Sequence, residues 1–241
     1  MQPLGFSTGA LALSDFRSAL EMLKDQKVNA VELSAIREPE LIPLLRSLDE
    51  LDLSRFSYIS IHAPSQFSPQ AEDWIFQELY DNRNNCWPIV VHPDTLKHDP
   101  DWRLLGSQLC IENMDKRKPV GRTVQELDLL FERFPAASFC FDIGHARQVD
   151  TSMIEAYQML KKFGHRLRQV HVSEVNSRNK HDPLSFISII DFQEVAHLIP
   201  PEVPIIIESI VSGDQISAEI SRVRKALAVT SKPGGMSSVV S

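Results

Sequence analysis

Glycine-rich phosphate loops are missing from this chain. Its 241 residues include 9 glycines, and none follows a strand-like run in the spacing of a dinucleotide fingerprint or a P-loop. Cysteine is also scarce, with 3 residues in no framework pattern. That excludes a disulfide-stapled secreted scaffold and indicates a reducing compartment. Cys110 and Cys140 lie inside apolar runs and read as small core residues. No apolar run approaches the roughly 20 residues of a membrane span, and no basic segment precedes an apolar one at the N-terminus. The expectation is a cytoplasmic protein without membrane contact. An excess of positive charge is absent too. The formal net charge is −7, whereas a protein that neutralises several phosphates usually carries a basic stripe. The one dense basic cluster, Lys116-Arg117-Lys118, reads as a solvated loop. Nucleic acid is therefore not an expected partner.

What is present is a soluble globular composition, 43% hydrophobic and 24% charged, with a regular alternation of short apolar runs and helical patterns. Strand-like runs begin at Leu4, Ala30, Tyr58, Ile89, Leu109, Phe139, Gln169 and Ile205. Ser14 is placed to cap the first helix, Ser68-Pro69 to open the third, and Thr123-Val-Gln-Glu126 to form a capping box. The segment Pro93–Ser107 is short and proline-bearing, so its helix is expected to be degenerate. Helices are expected over 191–198 and 214–228. Eight strand–helix units argue for a single-domain parallel (β/α)8 barrel over residues 1–229. Residues 230–241, rich in Ser and Gly, are expected to form a disordered tail.

Six of these runs end on a side chain that binds metals: His62, His92, Glu112, Asp142, His171 and Glu208. In a parallel barrel the strand ends converge on one mouth, where active sites are built. Carboxylates gathered there are costly without a cation. A divalent metal centre follows.

The endings Ile61-His-Ala-Pro64, Val91-His-Pro93, Ile111-Glu-Asn113, Phe141-Asp-Ile-Gly-His145, Val170-His-Val-Ser-Glu174 and Ile207-Glu208 resemble the xylose isomerase-like barrel superfamily. Sugar isomerases and epimerases belong to it, as do the endonuclease IV enzymes. The resemblance to the epimerase branch implies one metal held by Glu112, Asp142, His171 and Glu208. That largely hard set suits Mn²⁺ or Mg²⁺ and also admits Zn²⁺. It further implies that Glu112 and Glu208 move protons on a small polyhydroxylated substrate through a metal-stabilised enediolate. His145 would bind substrate oxygens, with Arg178 as the arginine after the His-x-x-Glu pattern, displaced by one residue. This isomerase or epimerase activity is the leading expectation. The endonuclease IV branch implies a different outcome, a multinuclear phosphoester hydrolase in which His62, His92, His145 and His181 hold further ions. Its remaining loop aspartate falls at Asn179. A barrel without catalysis, serving as a binding module, is the third reading. Glu32 is expected either to enter the pocket or to pair with Arg178. A homo-oligomer is compatible with all three.

Overall fold

The structure is a computed structural model that describes residues 2–97 and 102–228. The expected tail from 230 onward and His98 lie outside the described residues. The barrel strands are β1 (Leu4–Ser7), β2 (Ala30–Ser34), β3 (Tyr58–His62), β4 (Ile89–Val91), β5 (Leu109–Glu112), β6 (Ser138–Asp142) and β7 (Leu167–Val172). A two-stranded antiparallel ribbon follows, β8 (Glu174–Val175) with β9 (His181–Asp182), and β10 (Ile205–Ile207) closes the barrel. All eight barrel strands are parallel, each paired with its sequence neighbours and β10 with β1. This is the expected α/β barrel.

The helices that cover the strands are α1 (Thr8–Ala12), α2 (Phe16–Leu23), α3 (Leu41–Ser47), α4 (Glu72–Asp81), α5 (Val124–Arg133), α6 (Ile143–Val149), α7 (Ile154–Phe163), α8 (Phe186–Ala196) and α9 (Ile216–Leu227). After β4 the described chain forms only 3-10 turns, Pro93–Thr95 and Trp102–Gln108. The core lies between strands and helices, with Phe6, Phe139, Phe141, Ile207 and Phe192 fully buried. At Gly5 the barrel wall allows no side chain, since a Cβ there would lie 1.6 Å from the Ala30 carbonyl oxygen.

Local details differ from the sequence reading. Asp15, not Ser14, caps α2, its carboxylate accepting from the Ser18 amide at 3.0 Å. Ser68 makes no capping hydrogen bond. The box at Thr123 is half formed. Its hydroxyl accepts from the Glu126 amide at 3.3 Å, while the Glu126 carboxylate turns to the Arg122 amide at 2.7 Å. Helix α8 starts earlier than expected because Ser185 caps it, accepting from the Ser188 amide at 3.2 Å. Its start, Phe186-Ile-Ser-Ile-Ile190, is apolar but for Ser188, and Phe186 and Ile187 remain exposed, so helical periodicity does not announce it.

Candidate metal centre

Alternation along each strand sets the site. Residues two apart share a side, so the strands that place Val90, Cys110 and Cys140 together in the barrel interior place His92, Glu112 and Asp142 one layer higher, at the mouth. The register pairs Asp142 directly with His171. His62 ends β3, and Glu208 follows β10, its amide held by the Val172 carbonyl at 3.0 Å.

These side chains form one continuous cluster. The nitrogens of His62 and His92 approach the same oxygen of Glu112, Oε2, at 3.3 and 3.2 Å. The other oxygen, Oε1, lies 3.4 Å from His171 Nδ1 and 3.3 Å from His145 Nδ1. His145 Nδ1 is also 3.4 Å from Asp142 Oδ2. Glu208 reaches His171 with Oε1 and His181 with Oε2, both at 3.4 Å. Donor atoms within 4.8 Å of one another fall into overlapping groups: His62, His92 and Glu112; Glu112, Asp142, His171 and Glu208; Asp142, His145 and His181. Glu32 joins His62 and Glu208 in a further one.

The donor set fits divalent cations. Among the described residues five buried polar side-chain atoms have no hydrogen-bond partner, and four of them belong to this cluster: His92 Nδ1, Glu112 Oε1, Asp142 Oδ2 and His171 Nδ1. The fifth is Glu32 Oε1. Buried polar atoms are otherwise satisfied almost without exception, so Glu112 Oε1, Asp142 Oδ2 and His171 Nδ1, left open within one group of donors, show the pattern expected of ligands. The rings are fixed from behind as metal-binding histidines usually are. His62 Nδ1 donates to the Ala63 carbonyl at 2.8 Å. His171 Nε2 donates to Glu32 Oε2 at 3.1 Å, which directs Nδ1 to the mouth. Glu32 is itself held at the same oxygen by Ser60 and Gln169, at 3.0 and 2.7 Å. Asp142 Oδ1 accepts from the His145 amide at 2.7 Å and so caps α6.

Charges in this buried cluster act strongly on one another. Burial works against ionised Glu112, but the charges of His171 and His92 beside it hold its pKa well below the usual range. Burial raises Asp142 to about 6 and Glu208 to about 7, the Glu112 charge adding to both. Burial would lower His62 and His145, but Glu112 together with Glu32 or Asp142 raises them to about 9 and about 10. His181 goes the other way, lowered to about 3 by burial and by repulsion from His145.

A cavity of about 560 Å³ opens over the cluster. Ser7, Ser34 and Gln66 line it beside the histidines, with Arg117, Lys118 and Lys180 as cations at its edge. Lys118 is held by Asp94 at 2.8 Å and Arg117 by Asp115 at 2.9 Å. All eight candidate residues other than Arg178 thus meet at the mouth. Arg178 does not: it is exposed and lies outside the cavity lining. The loop from Asn176 to Lys180 turns tightly on the Asn176 side chain, which accepts from the Arg178 and Lys180 amides. Glu32 pairs with His171 rather than with Arg178. Its role was open in the sequence because a strand-end carboxylate gives no sign of its partner.

No family model matches the chain, and no curated protein matches it. Solved structures do. A xylose isomerase domain protein from Alicyclobacillus acidocaldarius superposes with a TM-score of 0.66 at 13% identity, covering 95% of this chain and 99% of that one. The 3-keto-D-glucoside 4-epimerase from E. coli gives 0.52 at 11% identity, covering 94% and 99%. A structure described as AsfvAP:AG gives 0.57 at 13%, covering 94% and 99%. The chain shares the parallel (β/α)8 barrel fold of these proteins. At these identities the likeness is one of fold. Among the described residues no helix is long and apolar enough to cross a membrane.

Proposed function

We propose that the protein is a metal-dependent phosphoester hydrolase with a multinuclear centre at the barrel mouth, acting on a small substrate. One observation carries this reading: His62 and His92 converge on the Glu112 oxygen that faces away from His171. A single ion held by Glu112, Asp142, His171 and Glu208 would leave those two histidines without a task. If Glu112 is shared instead, its two oxygens serve two neighbouring groups, and Asp142 links the second to a third. Bound divalent ions would supply Lewis acidity toward a phosphoryl oxygen and lower the pKa of water.

The chain's own residues divide the remaining work. Glu32 and the Ala63 carbonyl hold His171 and His62 in one tautomer. Asp94 and Asp115 steady Lys118 and Arg117 at the cavity edge, where cations would receive the charge of a phosphate. Ser7, Ser34 and Gln66 would orient the remainder of the substrate. A cavity of about 560 Å³ is within the range of small-molecule sites.

A second reading, a mononuclear sugar isomerase or epimerase, is supported by the complete middle group Glu112, Asp142, His171 and Glu208. In it Glu112 and Glu208 would transfer protons and His62 and His92 would only line the pocket. Metal content per chain, measured on wild type and His92→Ala, separates the two. The hydrolase reading expects more than one ion in wild type. It also expects His92→Ala to lose an ion and most cleavage of bis-p-nitrophenyl phosphate, about 10²-fold or more, since such an ion contributes several kcal/mol. One ion per chain in both proteins, with exchange of a sugar's α-hydrogen into solvent, would overturn it in favour of the isomerase.

A further inference from the structure

The barrel has a second recess, at the opposite face from the histidine cluster. It encloses about 460 Å³ beneath the starts of β4 to β7. Three basic side chains line it, His165, Arg166 and Arg168, and among the described lining residues none is acidic. Arg166 is fixed in place. It donates to the Pro135 and Ala137 carbonyls, the latter at 3.0 Å, and its guanidinium lies 5.2 Å from the centre of the Phe131 ring. Arg168 is exposed and has no hydrogen bond or ion pair among the described residues. Pro88, Ala136 and Ala137 supply an apolar wall. Unneutralised guanidiniums in a concave site are unusual in a chain of net charge −7, where acidic partners are plentiful.

We infer that this recess binds a small phosphorylated molecule. A dianionic phosphate would be received by Arg166 and Arg168, whose planar donor forks match phosphate oxygens, while the attached carbon skeleton rests on Pro88, Ala136 and Ala137. His165 adds a third donor. The site is separate from the metal cluster, because its residues precede strands β4 to β7 whereas the cluster occupies strand ends. It therefore does not depend on the hydrolase reading.

Cys86 makes the inference testable. It lines the recess and is exposed, whereas Cys110 and Cys140 are buried. Its alkylation by iodoacetamide, a neutral reagent, therefore reports occupancy locally. The rate is measured by peptide mass spectrometry on the full-length protein, with inorganic phosphate or pyrophosphate added at constant ionic strength. Pyrophosphate is expected to slow the reaction, about threefold at twice its dissociation constant, because only unoccupied protein reacts. Chloride at equal ionic strength should not. Arg168→Ala and Arg168→Glu should both lose the protection while still folding, since the side chain is exposed and unpaired. Alkylation unaffected by either phosphate in the wild type would overturn the inference, as would equal protection in Arg168→Glu. Both readouts stay at the recess whatever the mouth proves to do.

Discussion

Glu32→Gln tests how far the mouth depends on a residue behind it. Glu32 is fully buried, and its Oε2 receives Ser60 at 3.0 Å, Gln169 at 2.7 Å and His171 at 3.1 Å. Glutamine keeps the volume and one acceptor oxygen but removes the charge that holds the His171 ring with Nδ1 toward Glu112 and Glu208. Replacing a carboxylate behind a metal-binding histidine typically costs about 10–100-fold in metal affinity, equivalent to about 1.4–2.7 kcal/mol. A loss of fold stability of similar size should accompany it, about 1–3 kcal/mol if one of the three donors is left without an acceptor. Competition against a chromophoric chelator gives the affinity, metal analysis the stoichiometry, and thermal unfolding by circular dichroism the stability. The expected result is unchanged stoichiometry at saturation with weakened affinity. Affinity within twofold of wild type would refute the claim that Glu32 positions His171. Loss of a whole ion at saturation would also refute it, making Glu32 itself a ligand through Oε1, the oxygen that has no partner among the described residues.

Asp142 has two tasks that substitution can separate. Asp142→Ala should lose metal and also about 1 kcal/mol of stability, since it removes the cap of α6, whereas Asp142→Asn should keep the cap and lose mainly metal; equal unfolding temperatures for the two would contradict this. Metal uptake should release protons, because ligands bind deprotonated and Asp142 and Glu208 hold theirs up to about 6 and about 7. Affinity should accordingly rise with pH through that window, fall as acid protonates both carboxylates, and go on rising at higher pH because His62 and His145 keep their protons up to about 9 and about 10; calorimetry in buffers of different ionisation enthalpy would count the protons. Gly5→Ala should destabilise by about 3 kcal/mol or more, at or beyond the upper end for overpacking, because the added Cβ would meet a backbone oxygen that no rotamer change can move. Urea denaturation showing a change below about 1 kcal/mol would rule out that contact.

The barrel was legible from residue order because its signals are local. Apolar runs such as Phe139-Cys-Phe141 and Ile205-Ile-Ile207 are buried on both faces and identify parallel strands without reference to partners. Position at a strand end was enough to bring His62, His92, Glu112, Asp142, His171 and Glu208 to one mouth, since parallel strands all point the same way. Cap positions were less legible: Asp15 caps one residue from the expected Ser14, and Ser185 caps α8 ahead of an apolar stretch that helical periodicity does not mark. Distance across the barrel was not legible at all. Alternation states which side a side chain takes, not which neighbour it meets, so only closure of β1 onto β10 brought Glu32 on β2 against His171 on β7, 139 residues away. Pairing of β3 with β4 and of β4 with β5 set both His62 and His92 on one oxygen of Glu112, which is what weighs a shared carboxylate against a single ion. Arg178 shows the reverse. Its spacing after His171 missed the pattern by one residue, and the tight turn around Asn176 carries it out to solvent, since spacing in a loop does not fix direction as it does in a strand.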